Sequence, residues 1–151
     1  VDITHLDMSG VDKDQLYYAL VPMKSEDSKI FYPVDSDKVV MRSVVTKDQA
    51  KDLVSEIKDI EPMRIENDRQ REAKYKEALV SCDCKQLICI IKTMYARNKE
   101  RIGKGKRITY VDDRYLKEAK QNLNDEFSIA LGIEPREVEK YIKAQIVEQE
   151  A

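Results

Sequence analysis

The spacing of hydrophobic positions along the chain changes once, near residue 45. Before that point, apolar and aromatic residues come in short runs, and the two longest, Leu16–Val21 and Lys29–Tyr32, each end at a proline. Such runs of strand-forming residues predict β-strands. The polar segment 24–28 between them predicts a turn, so we expect the two runs to form a hairpin.

Two further short strands are predicted at Val1–Leu6 and Val39–Met41, with Ser9-Gly10 as a turn after the first. Four short strands make a small sheet with little core of its own. The chain begins at Val1 without a methionine. We therefore expect the natural protein to have one or two more strands before this point.

From Thr46 onward the apolar positions follow helical spacing, and five helices are predicted. The first begins at the capping box Thr46-x-x-Gln49, the second spans about residues 68–80, the third follows Asp83, the fourth follows Thr109, and the fifth begins at Pro135. Gly103 and Gly105 end the third helix, and Gly132 ends the fourth. The residues expected to face the core are Ala50, Leu53, Val54 and Ile57 in the first helix; Ala73, Lys76 (by its stem) and Val80 in the second; Leu87, Ile88, Ile90, Ile91 and Met94 in the third; Leu116, Ala119, Leu123, Phe127 and Ala130 in the fourth; and Val138, Tyr141, Ile142 and Ile146 in the fifth.

The third helix is apolar over more than half of its circumference, which is typical of a helix at the centre of a domain. The predicted fold class is therefore α+β. A small antiparallel β module, residues 1–45, is followed by an all-helical domain of five helices, residues 46–151.

Charge is concentrated in one segment of an otherwise balanced chain. The formal net charge is −2, but residues 92–107 hold seven basic groups and a single acid, Glu100. Local density of like charge determines the field that a partner meets. Lys and Arg attract phosphates irrespective of sequence, and the two glycines allow close approach of a phosphate chain. The segment predicts a nucleic-acid contact formed by Tyr95, Arg97, Lys99, Arg101, Lys104, Lys106 and Arg107.

Tyr95 lies where the third helix changes from apolar to basic, and two interpretations are open for it. An aromatic side chain at that position can wedge against a base step, as in proteins that bind the minor groove. Alternatively, Tyr95 packs in the core seven residues after Ile88, and the basic run is a solvated loop. Periodicity alone favours neither.

Catalytic, metal and membrane functions have little support in the sequence. The only histidine is His5, and Gly103-Lys104-Gly105-Lys106 lacks the spacing of a phosphate loop. Asp112-Asp113 is typical of acids that favour the first turn of a helix. The three cysteines, Cys82, Cys84 and Cys89, lack a fourth zinc ligand nearby, which favours reduced, buried or semi-buried helix residues. No apolar run reaches the roughly 20 residues of a membrane span. We expect no enzymatic activity, cofactor, metal ion or small-molecule substrate, and a cytoplasmic location.

Several stretches together resemble one known family. They are Leu16–Leu20, Lys29–Val34 and Met41–Val45 in the β part, and Arg71–Lys76, Val80–Asp83, Ile90–Arg97 and Asp113–Ala119 in the helical part. These resemble the CarD/CdnL transcription regulators, whose polymerase-interacting module is shared with transcription-repair coupling factors. The resemblance covers essentially the whole chain and the order of its modules.

The resemblance implies a Tudor-like β module that binds the β subunit of bacterial RNA polymerase, and a helical domain that contacts promoter DNA at the upstream edge of the transcription bubble. Tyr95 matches the aromatic, usually Trp, that wedges into the minor groove and slows bubble collapse. Phe31 stands where some members have an Arg that contacts polymerase, and the family's opening strands are absent. The implied polymerase-binding residues are Tyr18, Met23, Ile30, Phe31, Tyr32 and Pro33.

The expected function is a non-catalytic regulator that stabilises the open promoter complex and is associated with the nucleoid through polymerase. The main alternative is a protein–protein adaptor on polymerase without direct DNA contact. An enzyme that uses the cysteines or the acidic pair is a further alternative. A detached piece of a coupling-factor motor is a third, which the helical continuation after Val45 disfavours.

Overall fold

The computed structural model describes residues 2–150, with the side chains of residues 2–148. Its elements are, in chain order, β1 (Asp2–His5), β2 (Leu16–Leu20), β3 (Ile30–Pro33), α1 (Lys47–Glu56), α2 (Asp68–Val80), α3 (Cys84–Gly103), α4 (Tyr110–Leu131) and α5 (Pro135–Glu150). The α+β fold class, with a small antiparallel sheet before five helices, is confirmed. The chain divides into two compact units between Met41 and Arg42.

The first unit contains a three-stranded antiparallel sheet with the order β1-β2-β3. The predicted hairpin is confirmed, with Tyr18 opposite Tyr32. The predicted strand at Val39–Met41 is wrong, because β3 ends in a turn closed by the Ser36 amide and the Pro33 carbonyl, and residues 36–46 lack strand pairing. In the predicted strand at Val1–Leu6, Val1 lies outside the described residues.

Strand register sorts the sheet residues into two faces, because directly opposed residues point to the same side. One face carries an apolar set, namely Ile3, Leu16, Tyr18, Leu20, Ile30 and Tyr32. Ala19 and Phe31 oppose each other on the other face. None of residues 2–41 is fully buried. The described part of the sheet thus has no enclosed core.

The core of the second unit is built around α3, as its wide apolar surface predicts. Its fully buried side chains include Ile90 and Met94 of α3, Phe127 of α4 and Val138 of α5. The capping box at Thr46 is confirmed, since its hydroxyl accepts from the Gln49 amide and the Gln49 side chain accepts from the Thr46 amide. The N-caps at Asp83 and Thr109 and the left-handed glycine that ends α4 are also confirmed.

The predicted inner face of α2 is wrong. Ala73 and Lys76 are exposed, and Val80 is 72% exposed. Tyr75 and Ala78 are buried instead. These two lie three residues apart on a different face of the helix. The few apolar residues of α2 are spread around its axis, so its orientation depends on a polar group in α4 that sequence periodicity does not reveal.

That polar group is Asp112, whose side chain is 0% exposed. The Tyr75 hydroxyl donates to its Oδ1 at 3.1 Å, and the Arg97 Nε donates to its Oδ2 at 3.1 Å. The Arg71 Nε lies 2.9 Å from Oδ1. The Asp112 amide also donates to the Thr109 hydroxyl, which caps α4. One carboxylate therefore joins α2, α3 and α4.

The surroundings of Asp112 keep it ionised. Burial raises its pKa, but the hydrogen bonds from Thr109 and Arg97 and the charges of Arg71 and Arg97 outweigh burial, so the pKa of Asp112 lies below its usual range. Burial and the neighbouring Asp112 charge raise the pKa of the Tyr75 hydroxyl, so that it stays protonated as a donor. The sequence interpretation of Asp112 as a macrodipole residue is incomplete, because its main contacts are with two arginines.

A second ionic cluster attaches the segment before α1 to the helical unit. The Arg42 Nη2 donates to Glu126 Oε2 at 2.8 Å, and the Val45 amide donates to Glu126 Oε1 at 3.0 Å. The Cys84 thiol donates to the same carboxylate at 3.1 Å. Residues 42–45, which the sequence grouped with the β module, thus contact the helical core.

We expect Asp112→Asn to lower the free energy of unfolding by about 3–5 kcal/mol, because it removes the buried counter-charge of Arg71 and Arg97 and leaves them only the exposed Asp68. Asp113→Asn is the matched control, since Asp113 lies in the same first turn and, among the side chains of residues 2–148, forms its one ion pair with the exposed Lys117. Its effect should stay within about 1 kcal/mol. Urea unfolding followed by circular dichroism measures both. Equal losses would mean that the two acids act only on the helix dipole.

Candidate nucleic-acid interface

The C-terminal half of α3 presents different residues to solvent and to the core. Tyr95, Lys99 and Ile102 are exposed and lie at i, i+4 and i+7, so they share one side of the helix. Met94 and Asn98 are buried on the neighbouring side of the helix. We call Tyr95, Lys99 and Ile102 the exposed stripe; it extends for about 10 Å along the axis.

Two of the predicted DNA-contacting arginines lie away from this stripe and make contacts within the protein. Arg97 is 24% exposed, and its guanidinium bonds Asp112 and, through Nη1 at 3.0 Å, Asp68. The Arg101 Nε donates to the Arg107 carbonyl at 2.9 Å. Both side chains therefore make contacts that stabilise the fold, which their position in a basic run does not reveal.

The loop after α3 is held in a defined shape by backbone hydrogen bonds. The Lys106 amide donates to the Arg101 carbonyl at 2.8 Å, and the Gly105 amide donates to the Ile102 carbonyl at 2.9 Å. Gly105 has φ 71°, a left-handed conformation that favours glycine. Together with the Arg101 contact to Arg107, these bonds fold the loop back onto the end of α3.

The remaining basic groups differ in how far they are already neutralised. Lys104 pairs with Glu100 one helical turn earlier, and that hydrogen bond lowers the pKa of Glu100. Lys99, Lys106 and Arg107 are exposed, and their charged groups form no ion pair with any side chain of residues 2–148, although the charge of Lys106 also helps to lower the pKa of Glu100. These three cations are the ones most available to a phosphate.

Tyr95 is 50% exposed, so the interpretation that places it in the core is wrong. Its ring forms one wall of an apolar groove, and the ammonium of Lys120 lies 5.8 Å from the ring centroid. A cation at this distance favours a fixed ring position. Tyr95 is thus an aromatic side chain supported on one side and open to solvent on the other.

Sequence reasoning missed two exposed side chains next to the basic loop. Tyr110, the first residue of α4, is 78% exposed, and Ile102 belongs to the exposed stripe. The sequence carried no signal for Tyr110, because Asp112 in the same first turn of α4 is buried. An aromatic pair therefore flanks the loop, Tyr95 before it and Tyr110 after it.

The residues expected to bind polymerase lie on both faces of the sheet. Tyr18, Ile30 and Tyr32 are on the apolar face, whereas Phe31 and Pro33 are on the other. Met23 is exposed in the connection between β2 and β3. The residues that the family resemblance groups as one polymerase-binding set therefore do not share one face of the sheet.

The cysteines are free thiols, as predicted. Cys84 is buried, and burial together with the neighbouring Glu126 raises its pKa to about 12. Cys82 lies in the turn before α3 with φ 52°, outside the helices where it was expected. Among the side chains of residues 2–148, no group of three or more His, Cys, Asp and Glu has an arrangement that could hold a metal ion.

Comparison with known protein families and with curated proteins found no match. Among the described helices, none is long and apolar enough to cross a membrane.

We expect Arg97→Met and Lys99→Met to distinguish the basic residues that stabilise the fold from those that only present an exposed charge. Arg97→Met removes one partner of buried Asp112 and should lower the free energy of unfolding by about 2–3 kcal/mol. Lys99→Met removes an exposed charge and should change it by less than about 0.5 kcal/mol. Urea titration of the two variants beside the unsubstituted protein is the measurement. A stable Arg97→Met variant would show that Arg71 alone compensates Asp112.

Proposed function

We propose that this protein is a non-catalytic transcription regulator of the CarD/CdnL type, which binds the β subunit of bacterial RNA polymerase and stabilises the open promoter complex. The observation that carries the proposal is the exposed stripe of α3 with its adjoining loop. There, an exposed aromatic side chain precedes three cations, Lys99, Lys106 and Arg107, that lack ion-pair partners in the described chain.

The arrangement suits contact with distorted or unpaired DNA at the edge of a bubble. Cations without internal partners lose little when they bind phosphate, and each phosphate contact releases counterions. Tyr95 supplies a flat apolar surface for a base step that has lost its stacking partner. The buried contacts of Arg97 with Asp112 keep the helix fixed relative to α2 and α4, so the aromatic ring is presented at a constant position.

Attachment to polymerase explains why so small a basic surface is sufficient. Three available cations give only weak affinity for free duplex. A protein already bound to polymerase meets upstream promoter DNA at a high effective concentration, so a weak second contact is enough. We expect poor binding to isolated duplex and stronger binding to polymerase–promoter complexes.

The three-stranded sheet is the proposed polymerase contact. Its apolar face, which includes Ile3 and Ile30, is exposed, and none of residues 2–41 is fully buried. β1 and β3 are the edges of the described sheet, and an edge strand can pair with a strand of a partner. A partner strand with apolar side chains would both pair with an edge strand and cover part of the apolar face.

The main alternative is an adaptor that binds polymerase and meets an acidic protein surface through the same basic loop. The same charges favour both partners. The aromatic side chains at Tyr95 and Tyr110 favour nucleic acid, because bases stack on exposed rings. Crosslinking from position 95 to DNA or to protein in a promoter complex distinguishes the two.

We expect charge reversal at Lys99, Lys106 and Arg107 to shorten the lifetime of the polymerase–promoter open complex by at least about tenfold, since several phosphate contacts become repulsive. The lifetime is measured after addition of a competitor, with the regulator in excess. Tyr95→Ala should shorten it independently of the salt concentration, because stacking involves no counterion release.

The matched control reverses the exposed lysines Lys51, Lys74 and Lys140, which changes the net charge equally but lies outside the candidate interface. It should leave the lifetime unchanged. If both triple variants shorten the lifetime alike, the effect is due to net charge and the proposed interface is wrong. If neither does while polymerase is still bound, the adaptor alternative is favoured.

We expect Ile30→Asp to abolish capture of the polymerase β subunit in a pull-down assay, because it places a charge on the exposed apolar face of the sheet, at the edge strand β3. Met8→Asp is the control, since Met8 is equally exposed in the same unit but lies outside the strands. Retained capture by the Ile30 variant would contradict docking through this face. Circular dichroism of the helical unit should be unchanged in both variants.

A further inference from the structure

The groove beside Tyr95 has features that neither the core nor the proposed DNA contact requires. It has a volume of about 210 Å³ and is bordered by α1, α3, α4 and α5. Apolar side chains form nearly all of its floor, among them Ile57, Ile88, Ile91, Leu123 and Ile142. An open apolar cavity at the meeting point of four helices is a typical ligand-binding position in helical proteins.

The rim of the groove is positively charged. Lys92, Lys120 and Lys143 border it together with a single acid, Glu139. Glu139 forms an ion pair with Lys120, in which the Lys120 Nζ lies 2.7 Å from the Glu139 Oε1. Lys92 donates to the carbonyls that end α1, including Ile57 O at 2.6 Å. Lys143 is exposed one turn after Glu139, and its charge helps to lower the pKa of Glu139. Within residues 2–148 its ammonium forms no ion pair, so it is the rim cation best able to meet an incoming anion.

We propose that this groove binds a small amphiphilic anion, with an aliphatic or aromatic body in the apolar cavity and a carboxylate at Lys143. The assignment rests on charge complementarity between the lysine rim and the head group, and on the apolar floor. It is independent of the proposed function, because binding is measured on the isolated protein.

The size of the cavity limits the ligand. At about 30 Å³ for each water, 210 Å³ corresponds to about seven waters. A carbon chain of six to eight atoms occupies a similar volume, whereas a long-chain fatty acid would extend into solvent. Octanoate is therefore a suitable probe, and hexanoate is the shorter member of the series.

The experiment is isothermal titration of the full chain with octanoate, hexanoate and neutral octanol. Octanoate should bind with one site per chain. Hexanoate should bind about tenfold more weakly, because two methylene groups fewer are buried. Octanol should also bind more weakly than octanoate, and the difference should shrink as salt increases.

Two charge variants of α5 locate the head group. Lys143→Glu should weaken octanoate binding by at least about fivefold and improve binding of octylamine. Lys140→Glu is the matched control, since it is exposed on the same helix but does not border the groove, and should bind octanoate as the unsubstituted protein does. Both substitutions are at exposed positions, so both variants should fold.

Four results would overturn the proposal. The first is absence of octanoate binding, the second is equal binding of octanol and octanoate, and the third is an equal loss of octanoate binding in the two charge variants. The fourth is self-association of the protein that octanoate disrupts, measured by sedimentation, which would assign the groove to a second copy of the chain. None of these results bears on the open-complex measurements.

Discussion

One buried carboxylate sets the arrangement of the helical unit. Asp112 has lost all contact with water and is compensated by Arg71 and Arg97, with the Tyr75 hydroxyl as a further donor. Because a buried charge without a partner costs several kcal/mol, α2, α3 and α4 must adopt positions that bring these groups together. The orientation of α2, which lacks a continuous apolar face, follows from this requirement.

Contacts within the protein also determine which cations of residues 92–107 are available to a partner. Arg97 completes the Asp112 cluster and Arg101 supports the following loop, so neither cation is freely available to a partner. Lys99, Lys106 and Arg107 remain exposed without ion pairs in the described range. The proposed contact with DNA would therefore involve fewer charges than the segment contains, which agrees with the proposal that affinity comes mainly from attachment to polymerase.

The two proposed contact surfaces and the groove all include exposed apolar side chains. The sheet presents an apolar face without an enclosed core, and Tyr95 stands between solvent and a lysine-rimmed cavity. Exposed apolar patches are typical of interaction sites. In this molecule they occur on the sheet and at the stripe of α3, while Ile90, Phe127 and Val138 are buried in the helical core.

The sequence by itself determined the α+β order, the helix starts at Thr46, Asp83 and Thr109, and the apolar faces of four helices, because capping and periodicity are local. It also located the basic segment. Only the tertiary structure decided the face of α2, the burial of Asp112 and the availability of each cation. Those depend on side chains 15 to 40 residues apart, as between Arg97 and Asp112 or Tyr75 and Asp112. A charge pattern shows where cations are, but not which ones the fold already uses.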